Sequence, residues 1–121
     1  MINKLNKIAK DTNIFLKDFI NKQKNSKLIL AMKYGLFPGG KKIRSKILID
    51  IGSMMSIDYK TLIAIGAAVE CIHAYTLIHD DLPCMDDDKT RRGKPSTHIK
   101  FGESTAILAG NSLQTLSLIH I

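Results

Sequence analysis

Between Asp80 and Asp88 the chain reads Asp-Asp-Leu-Pro-Cys-Met-Asp-Asp-Asp, so five of its eleven acidic residues fall within nine positions. Carboxylates at that density repel one another and raise each other's pKa unless a cation neutralises them. A hard divalent ion such as Mg²⁺ does so through oxygen ligands, and it commonly arrives with substrate phosphates. Arg91 and Arg92 follow within a few residues and can supply planar forks for the remaining phosphate oxygens. A solvated acidic loop is the competing reading of the same run. Its position argues against that reading. Residues 63–78 read as an apolar helix, which puts Asp80 and Asp81 at a helix C-terminus, where each negative charge costs roughly 0.3–1 kcal/mol against the macrodipole.

The use of basic residues is uneven in kind. There are fifteen lysines and three arginines, and the arginines are Arg44, Arg91 and Arg92. Lys and Arg differ in bidentate recognition of phosphate, so a lysine-biased chain that places arginine at three positions marks those positions. Arg44 stands in Gly39-Gly40-Lys41-Lys42-Ile43-Arg44. Glycines before a helix allow close backbone approach, and Lys41 near a positive helix end suits an anion. Glu70, His73, Leu77 and Asp80 step by three and four and therefore share a helix face. A structural role for His73 fits the sequence as well as a ligand role.

These residues require helices to position them. Leu5, Ile8, Thr12, Phe15, Phe19 and Ile20 follow helical spacing over residues 3–23. Ser26 can cap a helix over 27–34 that Gly35 ends. Pro38-Gly39-Gly40 marks a turn. Ile43, Ile47, Ile51 and Met54 share one face of the next helix. Asp58 is the N-cap expected for a long helix over about 59–82. Residues 83–98 read as a polar loop, and Gly102-Glu103 opens a last apolar helix. No strand alternation or long repeat is evident, so the fold class is all-α.

Composition narrows the function classes. At 121 residues and 45% hydrophobic content, the chain can bury one core. No uninterrupted apolar run reaches the roughly 18–20 residues of a membrane span, and the lysine-rich start lacks a signal-peptide apolar segment. Cys71 and Cys84 have neither disulfide-framework nor zinc spacing, which fits a reducing, cytoplasmic setting. The net charge is +7, with thirteen Lys and Arg against four Asp in residues 1–60. Those lysines are dispersed with little aromatic interleaving, so a solvated surface is expected and no nucleic-acid partner. Other metal readings fit less well. Glu70-Cys71-Ile72-His73 matches one element of a di-iron bundle, but Glu103 is the only other glutamate. Residues 86–97 resemble a calcium loop with Arg91 where glycine belongs. His79-Asp80 as the pair of a helical metal phosphohydrolase stays open, as does a basic helical binding module or an inactive remnant.

Taken together, Gly39-Gly40-Lys41 with Arg44, the run from Glu70 to Asp86, Arg91-Arg92-Gly93 with Pro95, and Leu108-Ala109-Gly110-Asn111 with Leu113 strongly resemble the trans-isoprenyl diphosphate synthases, and among them bacterial farnesyl and geranyl diphosphate synthases. The resemblance implies the N-terminal part of an isoprenoid-synthase helical bundle, with residues 1–121 one portion of one domain. It implies a prenyltransferase that condenses isopentenyl diphosphate with dimethylallyl or geranyl diphosphate, uses Mg²⁺ and works as a homodimer. Asp80 and Asp86 would bind the metal, with Asp81 in support. Arg91 would contact the allylic diphosphate, and Lys41, Arg44, His73 and Arg92 would hold that of isopentenyl diphosphate. Tyr75, with Thr76 beside it, would limit product length. Two departures bear on these expectations. Family members are more than twice as long and carry a second aspartate-rich motif, whereas no Asp follows Asp88, so the chain alone is expected to be inactive. Ser45 stands where many relatives have proline, a change expected to be minor.

Overall fold

The computed structural model describes residues 2–37 and 40–120. Six helices account for most of them: α1 (Ile2–Asn21), α2 (Lys27–Leu36), α3 (Ile43–Met54), α4 (Tyr59–Asp80), α5 (Thr97–Phe101) and α6 (Glu103–His120). A two-stranded antiparallel ribbon, β1 (Thr90–Arg91) with β2 (Lys94–Pro95), interrupts the segment read as a loop. The all-α expectation holds, and the ribbon is too short to leave a periodic signature.

Local chemistry sets the helix starts. Ser26 Oγ accepts a hydrogen bond from the Ile29 amide at 3.2 Å, and the Asp58 carboxylate accepts from the Lys60 and Thr61 amides at 3.0 Å each. Both satisfy amides that a helix leaves without partners. Gly35 does not end α2, which continues through Leu36. A side chain at Gly35 would overlap Ile78, so this glycine serves the close approach of α2 to α4. The Pro38-Gly39 part of the expected turn lies outside the described residues.

Helix α4 is the centre of the bundle and packs on α1, α2, α3 and, most extensively, α6. The α4–α6 contact uses small residues: Ala67, Ala74, Ala106 and Ala109 are almost fully buried, and a side chain at Gly110 would overlap the His79 ring. Larger side chains, among them Leu16, Ile20, Leu36, Ile78 and Leu113, close the main core around that contact. A second cluster of Ile8, Ile49, Leu62 and Ile63 joins α1, α3 and α4. By length and composition α4 could cross a membrane, although Lys60, Glu70 and two histidines break its apolar runs. Half of that stretch is buried in the bundle, against four other helices.

The apolar face of α3 behaves differently from an ordinary amphipathic stripe. Ile43, Ile47, Ile51 and Met54 are all more than half exposed, while Ser45, Ile49 and Gly52 turn inward. The face that meets α4 carries small residues, because a side chain at Gly52 would overlap Leu62 and one at Gly66 would press on Ser45.

Candidate active site

Helix α4 delivers Asp80 as its last residue and Asp81 as its cap. The chain then turns back on itself. The Asp86 amide donates to the Asp80 carbonyl at 2.8 Å, and the Asp87 amide to that of Leu82 at 3.0 Å. The turn sets Asp86 beside Asp80 and leaves Asp86, Asp87 and Asp88 in solvent. Asp87 takes a left-handed backbone, with φ 52°.

Asp81 has a separate task. It is buried, and its two carboxylate oxygens accept the Nε and Nη2 hydrogens of Arg91 at 2.8 Å each. This is the fork-to-carboxylate pairing that Arg alone offers. Its hydrogen bonds raise the Arg91 pKa further, and it ties the ribbon to the end of α4. Arg91 keeps Nη1 for another partner, and its side chain is 36% exposed.

Arg92 and Gly93 form the two-residue loop between β1 and β2, and both have positive φ, 53° and 74°. That is the requirement of a type I′ hairpin turn, in which the first position is normally Asn, Asp or Gly. Arginine there is backbone strain of the kind that clusters at functional sites. It places Arg92 over Gly40, whose Cβ position lies 3.5 Å from the Arg92 Nη2.

A cleft of about 230 Å³ opens beside this loop, lined by Gly40, Lys41, Arg44, Glu70, His73 and Arg92 among others. The four residues expected to hold one diphosphate thus come from three places, the start of α3, the middle of α4 and the hairpin, and line one cleft. Burial, and then the Arg44 guanidinium, with Arg92 and Lys42, hold the His73 imidazole below its usual pKa, against an opposing effect of Glu70. A second, smaller cleft contains Asp81 and Arg91 and shares Gly35, Leu77 and Arg92 with the first. The two clefts therefore adjoin, with Arg92 lining both.

Lys42 and Glu70 line the cleft as well, and Ser45 lies buried behind them. Lys42, Ser45 and Glu70 are buried together. Ser45 Oγ lies 2.9 Å from Glu70 Oε1 and 3.0 Å from the Gly66 carbonyl, and Lys42 Nζ lies 3.6 Å from Glu70 Oε2. Ser45 is consequently more than a minor replacement for proline, since its amide also donates to Glu70, at 3.4 Å. An acid in the apolar middle of α4 needed a buried partner, and the adjacent lysines offered one.

The remaining expected positions are placed as follows. Tyr75 is half-buried against the main core and stacks edge-on with His79, centroids 5.4 Å apart. Thr76 donates to the His73 carbonyl at 2.8 Å. The His79 Nε2 lies 3.0 Å from the Ile107 carbonyl, which commits that nitrogen to the α4–α6 contact and removes it from a His-Asp metal pair. Asp80 and Asp86 offer hard oxygen donors that fit Mg²⁺, and neither carboxylate has a hydrogen bond or ion pair among the described residues. No three His, Cys, Asp or Glu side chains gather into a metal-holding group among the described residues. Mg²⁺ held by two carboxylates would complete its shell with water and substrate phosphate.

Residues 25–121 match the family model for polyprenyl synthetase. The chain belongs to the polyprenyl synthetase family. The farnesyl diphosphate synthase of Escherichia coli is 55% identical over 93 residues, 77% of this chain and 31% of that protein. That of Buchnera aphidicola from Acyrthosiphon pisum is 52% identical over 92 residues, 76% of this chain and 33% of that protein. Among solved structures, a geranyltransferase of Legionella pneumophila superposes with a TM-score of 0.92 at 39% identity, over 98% of this chain and 42% of its own. The chain thus spans about a third of the length of the curated relatives it matches. The isoprenoid-synthase helical fold of these polyprenyl synthetases is the one its helices adopt.

Proposed function

We propose that this chain is the N-terminal portion of a Mg²⁺-dependent trans-prenyltransferase, one that condenses isopentenyl diphosphate with dimethylallyl or geranyl diphosphate to geranyl or farnesyl diphosphate. The observation that carries the reading is the convergence of Lys41, Arg44, His73 and Arg92 on one cleft that adjoins the Asp81–Arg91 pair. In this reading the cleft takes the diphosphate of isopentenyl diphosphate. Lys41 and Arg44 contribute charge, and His73 an uncharged ring hydrogen at neutral pH. Asp80 and Asp86 would hold Mg²⁺, which when bound would supply charge to stabilise the departing allylic diphosphate. Arg91, oriented by Asp81, turns Nη1 to the same group. These fixed charges stabilise the leaving diphosphate without reorganising during reaction. The allylic carbon loses its C–O bond to diphosphate, the double bond of isopentenyl diphosphate forms the new C–C bond, and loss of a proton restores the alkene.

The experiment is a chimera in which residues 1–121 replace the matching third of the E. coli farnesyl diphosphate synthase. Labelled isopentenyl diphosphate should pass into geranyl or farnesyl diphosphate, and a folded chimera without turnover would count against the reading. The 121-residue chain alone should not turn over, because one carboxylate wall leaves a carbocation open to water. Tyr75→Ala in the chimera should lengthen the products, and unchanged chain length would remove Tyr75 and Thr76 as the limit. We further propose a cytoplasmic enzyme without a nucleic-acid partner. Homodimerisation is supported by the exposed Ile107, Leu108, Leu118 and Ile119 of α6.

A further inference from the structure

Lys41 and Lys42 are neighbours with opposite environments. Lys41 is exposed and lines the cleft, whereas Lys42 is 4% exposed and faces Glu70. Lys42 is also the cap of α3, with a left-handed backbone at φ 53° and ψ 40° and no side-chain cap of its own. A non-glycine residue adopts that conformation only at a steric cost, so something must hold it there. The Glu70 carboxylate is the group in place to do so. One oxygen lies near the Lys42 ammonium, and the other accepts from Ser45, the third residue of α3. Glu70 thereby performs from α4 the capping that α3 lacks, at a helix start where negative charge is favourable. Lys41 precedes this clamp and Arg44 lies inside it, and both line the diphosphate cleft.

We propose that Glu70 is a positioning residue of the diphosphate cleft. Through Lys42 and Ser45 it fixes the start of α3 and so directs Lys41 and Arg44 at the anion. This inference rests on the reading of the cleft as a diphosphate site. It differs from a plain electrostatic role in sign. Glu70 is the acidic residue among the cations of the cleft wall, so Coulomb attraction alone makes an anion bind as tightly or more tightly once its charge is removed. Positioning makes the anion bind more weakly.

The test measures binding of inorganic diphosphate to the 121-residue chain by calorimetry, with helix content and melting temperature followed in parallel. Glu70→Gln should weaken binding about tenfold, the low end of the roughly 10–100-fold loss seen when outer-shell partners of metal ligands are removed. If the unpaired buried Lys42 unfolds that variant, the double variant Glu70→Gln with Lys42→Met removes both charges and leaves none uncompensated. It too should bind about tenfold more weakly while folded. Wild-type or tighter affinity in a folded Glu70→Gln or double variant would overturn the proposal. Arg44→Ala separates this outcome from failure of the cleft itself. If wild type binds and Arg44→Ala binds equally well, or wild type binds no diphosphate, the cleft reading falls and takes the positioning role with it.

Discussion

Asp81 and Arg91 show how a residue's type can be legible while its partner is not. Both belong to a run whose chemistry points to metal and phosphate, yet their strongest interaction is with each other. Arg91→Lys should therefore cost stability as well as any contact to substrate. A single ammonium cannot reproduce two fork hydrogen bonds to a buried carboxylate, and the expected loss is about 1–2 kcal/mol in denaturant unfolding. His73 permits a second test at this scale. Its pKa lies below 6.5 because of burial and then Arg44. As pH falls through 6.5, the unfolded chain takes up the proton first, so His73 makes the fold less stable down to its lower folded value. His73→Gln should flatten the stability profile in that window. In NMR titrations, added inorganic diphosphate should move the His73 pKa upward, since a nearby anion favours the imidazolium.

At the scale of elements, α3 is where periodicity misleads about direction. Ile43, Ile47, Ile51 and Met54 recur at helical spacing, and a stripe of that kind ordinarily faces a core. In this chain it faces outward, because Ser45, Ile49 and Gly52 form the inward face, where the small Ser45 and Gly52 let α3 approach α4. Ile47→Lys should then change stability by no more than about 0.5 kcal/mol, as surface substitutions do. Ile49→Ala, two residues away at 1% exposure, should cost about 2–5 kcal/mol. Thermal or urea unfolding of the two variants checks both, and equal losses would mean that α3 is turned the other way. Helix starts read better than faces did. Ser26 and Asp58 cap the helices expected of them, since a cap depends only on side chains a few residues apart.

For the whole molecule, the chain leaves a large apolar area uncovered. Besides the α3 stripe, a hollow of about 400 Å³ lies between α1, α2 and α6, lined by Phe19, Leu28, Met32, Leu108, Leu116 and Ile119 among others. Exposed apolar side chains such as Leu108 and Ile119 beside it favour association. The 121-residue chain should elute above its monomer mass in light-scattering chromatography, and Leu108→Glu with Ile119→Glu should shift it toward monomer. A monomeric wild type would mean that the α6 face carries no association.

The sequence by itself determined the five longer helices, the caps Ser26 and Asp58, the all-α class and the residue types of the site. Each of these depends on side chains close together along the chain or on the chemistry of one residue, while α5 within the expected loop and the end of α2 were left to packing. Asp80, Asp86, Arg44, Arg91 and Arg92 could be singled out because carboxylate density and a bias toward lysine are properties of a string of letters. Only the tertiary structure decided which of these groups share a space. The meeting of Lys41, Arg44, His73 and Arg92 depends on how α3, α4 and the hairpin cross. Lys42 and Glu70 lie in different helical segments with nothing local to pair them. Burial joins them, because a carboxylate and an ammonium removed from water together must compensate one another.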